Sequence, residues 1–405
     1  MCRPIRFFAP IRLAVFAAFF TNGFLSGTWI AHIPRIKQVL HLSEGELGVI
    51  LWGAAIGLFS GMLCGNPLIG RFGSRNLCGI AAIVLALVIA VPVLSPTPWL
   101  IFAGLLLYGF FSALLDISMT VQAAHVEKVA KRQLMSSFHG FWSIGGFSGV
   151  TFGGLLLYLT ISPWIHIEIC TLFFVTVAIW TWWRLPEVTE DQSNTGIQIA
   201  FPTGVLLPIG TVCFLSMLTE GVVADWAGIL LRTQLGVDAG TAALPYAVFL
   251  ISMALARFIG DRIVERFGAM NTIAVGLSTA VVGLLVATFV HHLIVMVIGF
   301  GMAGFGLGNA VPILVSAASK VGRPTVAYAV TATATVGYVG LFTGPVLIGS
   351  LAQLIQLPNA FLVVTAGVAT GVVIVLGPIR STLKREEAKK TSLHDPEPEP
   401  QDNLG

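Results

Sequence analysis

Three of the acidic residues within long apolar stretches of the chain are the first candidates for chemistry: Asp116, Glu220 and Asp225. A carboxylate within a membrane-spanning helix costs about 2.5–3.5 kcal/mol on insertion scales, so it normally faces a polar cavity or takes up a proton. We therefore predict that Asp116 and Glu220 bind and release protons. Asp225 lies further along the same stretch as Glu220, and we predict that it contributes to a polar solute site.

Asp116 has polar neighbours at helical spacing. Ser112, Asp116 and Thr120 are each four residues apart, so a helix would place them on one face. His139 opens the next apolar stretch, and an imidazole titrates near neutral pH, so it could relay protons to Asp116. The alternatives are a structural hydrogen bond for Asp116 and a simple interfacial position for His139.

Uncharged polar residues in other apolar stretches are candidates for binding a solute. Asn22, Trp29 and Asn309 could hydrogen-bond to hydroxyl groups, although each could equally stabilise helix packing. The five cysteines lack metal-ligand spacing, and the adjacent His291 and His292 have no acid or cysteine nearby, so no metal is predicted. No phosphate-binding loop is present, so an ATP-driven pump is not predicted. We predict neither a cofactor nor enzymatic catalysis.

The composition determines which elements can position these residues. Of 405 residues, 56% are hydrophobic and only 10% are charged, whereas soluble domains carry about 25% charged residues. The apolar stretches are too long, and alternate too little, for the strands of a membrane barrel. The predicted fold class is therefore an all-α polytopic membrane protein whose main partner is the lipid bilayer, and nothing in the composition indicates nucleic-acid binding.

A membrane-spanning helix needs about 20 apolar residues. About twelve stretches meet that condition. They lie at 11–33, 47–69, 77–94, 99–125, 135–159, 164–183, 204–231, 243–260, 269–289, 292–318, 325–353 and 358–379.

One motif occurs twice between these stretches. The first copy runs from Gly65 to Gly73, GNPLIGRFG, and the second runs from Gly260 to Gly268, GDRIVERFG, beginning 195 residues later. Such self-similarity indicates a duplicated unit. We therefore predict two six-helix bundles with the same topology, related by pseudo-symmetry.

The charged residues of the two motifs are candidates for conformational gating. Arg71 and Arg266 could pair with acids at helix ends and hold one conformation closed. Asp261 and Glu265 provide local partners for the second motif. The alternative is that both arginines only anchor their loops on one side of the membrane.

The basic residues indicate which way the chain is oriented. Both motifs, the N-terminal segment and the C-terminal segment are rich in Lys and Arg, whereas the loops on the other side contain only Arg35, Lys37 and Arg232. Since cytoplasmic loops are enriched in basic residues, both termini are predicted to be cytoplasmic.

The polar stretches give the predicted domain boundaries. The N-terminal bundle covers 1–183, a cytoplasmic linker covers 184–203, and the C-terminal bundle covers 204–379. The segment 380–405 is charged and then rich in Pro and Glu, so we predict a disordered tail.

From about residue 11 to 379 the sequence resembles the major facilitator superfamily, whose loop signature is similar to the repeated Arg-Phe-Gly motif. Leu115-Asp116, Glu127, Arg132, Phe138-His139 and Gly145-Gly146 look most like fucose-permease-like sugar:proton symporters. That likeness implies an acid on the fourth helix, which Asp116 supplies, and another on the first helix. The first helix of this chain offers Asn22, Thr28 and His32 instead.

The resemblance and the residues lead to one expected function and two alternatives. We expect a proton-coupled secondary transporter of the bacterial inner membrane that moves a small polar solute, such as a sugar, by alternating access. The first alternative is a drug:proton antiporter that exports lipophilic compounds. The second is a non-transporting membrane sensor, against which the lack of a sizeable soluble domain argues.

Overall fold

A computed structural model describes residues 4–131, 134–188, 201–204, 206–321 and 325–382. In that part of the chain all regular secondary structure is helical. The α-helices are α1 (Pro4–Val39), α2 (Glu44–Phe72), α3 (Ser74–Val88), α4 (Ala90–Leu94), α5 (Pro98–Ala130), α6 (Met135–Tyr158), α7 (Pro163–Arg184), α8 (Leu206–Leu235), α9 (Leu244–Phe267), α10 (Ala269–Phe289), α11 (Leu293–Leu307), α12 (Ala310–Val321), α13 (Val326–Ile355) and α14 (Leu357–Ile374). A 3₁₀ turn (Thr241–Ala243) precedes α9, and a π-helical turn (Val375–Ile379) extends α14.

The described residues contain 12 helical stretches that are long and apolar enough to cross a membrane. Helices α3 and α4 together form one of them, and α11 and α12 form another. The predictions of an all-α fold and of about twelve spans are therefore confirmed. Several helices extend beyond the predicted stretches. For example, α5 continues to Ala130 through His125 and Glu127, because polar residues can prolong a helix outside the membrane.

The two copies of the motif have the same local structure. Gly73 has φ 78° and ψ 150°, and Gly268 has φ 80° and ψ 153°. A positive φ strains any residue that has a side chain, which explains why glycine ends both motifs. Just beyond them, Asn76 Nδ2 donates to the Phe72 carbonyl at 2.9 Å and Asn271 Nδ2 donates to the Phe267 carbonyl at 3.0 Å. The sequence repeat is thus also a structural repeat.

Helix pairing is the same in both halves. Helix α1 packs on α6 as α8 packs on α13, and α2 packs on α5 as α9 packs on α11. Across the two halves, α2 contacts α13, α6 contacts α9, and α1 contacts α8. This is the predicted pair of pseudo-symmetric six-helix bundles. The arrangement leaves room for a central cavity between the halves.

We call the end of the molecule that carries Gly73 and Gly268 the motif face, and the end that carries His41 and Gly236 the opposite face. The halves touch at the opposite face. A Cβ atom added to Gly48 of α2 would lie 2.9 Å from the Pro345 carbonyl oxygen and 3.1 Å from Gly349 Cα, both on α13. The backbones meet too closely there for a side chain.

A second contact closes the same face. The Arg232 guanidinium, at the end of α8, donates to the Pro34 carbonyl of α1 at 3.4 Å and to the side chain of Gln38. The two halves are therefore joined at the opposite face by backbone packing and by hydrogen bonds.

Side chains cap two chain segments at the opposite face. The Glu46 amide donates to Ser43 Oγ at 3.3 Å while the Ser43 amide donates to Glu46 Oε2 at 2.9 Å, which completes a capping box. Asp238 Oδ1 accepts hydrogen bonds from the amides of Gly240 and Thr241 at 2.8 and 2.9 Å. Partial burial alone would raise the pKa of Asp238, but hydrogen bonds from Thr241 and Gly240 outweigh it, and the pKa is lowered.

Glu127 supports the start of α6 from the end of α5. Its Oε1 accepts a hydrogen bond from the Leu134 amide and another from the Met135 amide at 2.8 Å. Glu127→Ala should cost about 1–2 kcal/mol, because two amides of the first turn lose their acceptor. Thermal unfolding in detergent should show a lower midpoint for this variant, and a smaller decrease for Glu127→Gln, which keeps one acceptor oxygen. Equal midpoints for the two variants would contradict this role.

The predicted domain boundaries are only partly within the described residues. Residues 189–200 of the linker 184–203 lie outside the described residues. Residues 383–405 of the tail 380–405 lie outside them as well. Residues 380–382 continue the last helical stretch. The start of the linker is held against the first half, where Arg75 pairs with Glu187 at 3.4 Å. The boundaries and the disordered tail stay predictions.

Candidate functional site

A cavity of about 400 Å³ lies between the two halves. Its walls come from α1, α2, α5 and α6 on one side and from α8, α9, α12 and α13 on the other. The lining combines apolar side chains with a small set of polar and charged groups. A concave, largely apolar site of this kind, placed between two halves, is a typical ligand-binding site.

The charged residues of the cavity come from both halves. Asp116 lies on α5 in the first half, and Glu220, Asp225 and Arg257 lie on α8 and α9 in the second. Within the described residues, no hydrogen bond or ion pair joins any of the three carboxylates to another group. Their oxygens are left free to interact with whatever enters the cavity.

Residues near the opposite face form what we call the deep layer of the cavity. Asp225 lies ten residues before the end of α8, Trp29 lies ten residues before the end of α1, and Tyr108 lies ten residues after the start of α5. At a rise of about 1.5 Å per residue, all three are roughly 15 Å from that face. Tyr246, two residues after the start of α9, lines the same cavity.

Residues nearer to the motif face form what we call the outer layer. Asp116 lies 18 residues after the start of α5 and His139 lies 19 residues before the end of α6, so both are roughly 27–28 Å from the opposite face. His139 and Arg257 are exposed, in contrast to the buried Trp29 and Tyr246 of the deep layer. The cavity is therefore open towards the motif face.

Arg257 connects the groups of the outer layer. Its Nε donates to the Gly308 carbonyl at 3.1 Å, at the break between α11 and α12. Its charge interacts with Glu220 and with His139. A guanidinium fixed in this way at the mouth of the cavity can attract or repel an incoming charged solute.

Asn22 and Ser112 form a polar pair on the first-half wall. The Asn22 Nδ2 donates to the Ser112 carbonyl at 3.2 Å, and Ser112 Oγ donates to Asn22 Oδ1 at 3.1 Å. Tyr338 of α13 interacts electrostatically with both Asp116 and Glu220. The candidate proton-binding carboxylates of the two halves thus share an aromatic neighbour.

The model of the Major Facilitator Superfamily matches residues 13–206 and 209–400. The chain belongs to the major facilitator superfamily. It is 33% identical over 344 residues to an uncharacterized MFS-type transporter of Yersinia pestis, which covers 85% of this chain and 89% of that one. It is 27% identical over 365 residues to membrane protein MosC of Rhizobium meliloti, with 89% and 88% covered.

Solved structures of transporters have the same fold. A crystal structure of the nucleoside transporter NupG superposes with a TM-score of 0.76 at 12% identity, over 91% of this chain and 99% of that one. A bacterial homolog of the human lysosomal transporter Spinster superposes with a TM-score of 0.69 at 16% identity, over 95% and 99%. The chain is therefore an integral membrane transporter of this superfamily. These matches do not test the finer resemblance to fucose permeases, which stays a prediction.

Most of the predicted site residues of this facilitator line its cavity. They are Asp116, Glu220, Asp225, His139, Asn22 and Trp29. Asn309 is the exception, because its Nδ2 donates to the Ala256 carbonyl of α9 at 2.7 Å and its side chain packs against Gly260. This residue lies at the break between α11 and α12 and joins it to α9. Its predicted role in solute binding stays a prediction.

The predicted gating residues are at the motif face of the facilitator. Arg71 and Arg266 are exposed, and each guanidinium lies over the ring of the phenylalanine that follows it, at 5.4 Å. Neither arginine forms an ion pair within the described residues. Glu265 is exposed, Gly65 packs against the side chain of Ile117, and the side chain of Asp261 lies outside the described residues. Gating by these groups stays a prediction.

His32, a polar residue of the first helix, is not in the facilitator's cavity. Its Nε2 lies 3.0 Å from Nδ1 of His166 on α7, and both imidazoles are buried within the first half. In the described part of the chain, no group of three or more His, Cys, Asp or Glu could hold a metal ion.

Sequence reasoning missed Arg257 and the tyrosines of the cavity. A signal for Arg257 was present, since an arginine within a membrane span is itself a functional indicator. Tyr108, Tyr246 and Tyr338 gave no such signal. An aromatic residue in a membrane span can face lipid, another helix or a cavity. Its neighbours in the sequence do not show which of these it faces.

Proposed function

We propose that this facilitator is a proton-coupled secondary transporter of a small polar solute, working by alternating access. The single observation that carries the proposal is the set of unpaired carboxylates, Asp116, Glu220 and Asp225, contributed by both halves to one cavity. Substrate and ion sites of secondary transporters lie between structural repeats near the midplane of the membrane. The two bundles would move about this site.

The charge distribution supports an orientation in the bacterial inner membrane. The motif face carries Arg71, Arg75, Arg262 and Arg266, so we infer that it faces the cytoplasm together with both termini. The cavity would then be open to the cytoplasm and closed to the outside. In the other state the contacts at Gly48 and Arg232 would separate, and the gating arginines would help to close the motif face.

Proton coupling is assigned to the outer layer of the cavity. Asp116 has no ionic partner within the described residues, and a lone carboxylate in a membrane span is stable only if it is hydrated or protonated. Opening to one side hydrates it and closure dehydrates it, so its protonation would change with conformation. Glu220 and His139, which both interact with Arg257, are the secondary candidates.

The test is substrate-driven proton movement in proteoliposomes that contain a pH-sensitive dye. A panel of neutral sugars, small ammonium compounds and lipophilic cations is added outside the vesicles. We expect a small hydrophilic solute to drive proton entry, with protein-free liposomes as the control for leak. Proton movement in the opposite direction, driven by lipophilic cations, would favour a drug:proton antiporter instead. Solute flux without any proton movement would reject proton coupling.

A further inference from the structure

The deep layer of the cavity joins one carboxylate to three aromatic rings. Asp225 and Tyr246 belong to the second half, and Trp29 and Tyr108 belong to the first. The three aromatic residues are only 4–6% exposed. That small remaining surface lines the cavity, close to the contacts that close the opposite face.

The Asp225 carboxylate forms no ion pair within the described residues. Arg257 interacts with Glu220, with His139 and with Tyr246, and it lies 13 residues after the start of α9, which is roughly 4–5 Å further towards the motif face than Asp225. Within the described residues, Arg257 is the only basic side chain other than histidine that lines the cavity. Asp225 is half-buried. Since an ionised carboxylate without a partner is costly in a membrane span, an occupant of the deep layer gains most if it brings a positive charge.

The aromatic rings favour the same kind of occupant. The face of an aromatic ring attracts cations, and an aromatic cage is a common binding site for alkylammonium groups. Trp29 and Tyr108 of the first half and Tyr246 of the second line the same cavity as Asp225, so the rings and the carboxylate face one space. A neutral sugar would leave both the charge and the rings without a strong partner.

We propose that the deep layer binds the positively charged nitrogen of a small organic cation, with Asp225 as counter-ion and Trp29, Tyr108 and Tyr246 around it. This proposal rests on the proposed function in one respect: it takes the bound cation to be the transported solute. Proton binding at Asp116 and cation binding at Asp225 are then separate events in one cavity. The two sites are about 12 Å apart along the membrane normal.

The test compares choline with its uncharged isostere, in which a carbon atom replaces the quaternary nitrogen, by titration calorimetry on the purified full-length protein. A second pair is ethanolamine and ethylene glycol. We expect the cation of at least one pair to bind at least about tenfold more tightly than its neutral partner. Asp225→Asn should remove that preference. Tyr246→Phe, which keeps the ring, should retain more of it than Tyr246→Leu does.

Two results would overturn the proposal: equal binding of the charged and neutral members, or no saturable binding of either cation. Glu168→Gln is the matched control, since it removes an exposed carboxylate of α7 outside the cavity and should leave binding unchanged. The proteoliposome assay separates the two proposals. Proton movement driven by neutral sugars alone would keep the proposed function and reject the cation site, whereas selective cation binding without any flux would do the reverse.

Discussion

Replacing Asp116 by asparagine should abolish substrate-driven proton movement and leave solute exchange intact. Asparagine keeps the size and polarity of the side chain but cannot bind and release a proton. The solute would still bind in the cavity, and the halves would still move. In proteoliposomes, proton entry should fall to the level of protein-free vesicles, while exchange of labelled solute between equal concentrations on the two sides continues.

A matched control makes this result specific to the cavity. Glu168→Gln neutralises a carboxylate of α7 that does not line the cavity, so it should leave both proton entry and exchange unchanged. Full proton entry in Asp116→Asn would show that Asp116 has a structural role. Glu220 would then become the first candidate for proton binding. Loss of both activities in a variant that folds normally would mean that Asp116 is needed for solute binding or for conformational change.

The fold could be predicted because the relevant signals are local in sequence. Membrane burial is encoded in runs of apolar residues, and the duplication is encoded in a motif that recurs with the same glycine positions. The helix caps are local in the same sense, since Ser43 and Glu46, like Asp238 and Thr241, are only three residues apart. Such features depend little on which helices become neighbours.

The site was predicted only in part, because it depends on which side of each helix faces the cavity. The isolated acids were found, since a charge in an apolar span has few stable places other than a cavity. Asn309, predicted to bind solute, donates to a carbonyl of α9, because an amide in a span can also hydrogen-bond to a neighbouring helix. The aromatic residues around Asp225 come from three helices, and no local pattern brings them together.

Exchanging Gly48 for leucine should keep the opposite face from closing. The added side chain would meet the Pro345 carbonyl and the Gly349 backbone, neither of which can move without shifting α13. Overpacking of this kind costs about 1–3 kcal/mol, which corresponds to a roughly 5- to 150-fold shift of a conformational equilibrium. Transport should decrease strongly, because the cycle requires the closed state.

Distances between spin labels at Thr160 and His291, in a background without other cysteines, would measure this shift. The two residues are exposed and lie at the opposite face on different halves. Closed and open populations should give separate distances, and Gly48→Leu should move the distribution towards the longer one. Gly377→Leu is the control, because a Cβ atom there would meet nothing within 4 Å. An unchanged distribution in Gly48→Leu, or an equal change in both variants, would show that the contact between α2 and α13 does not hold the two halves together at this face.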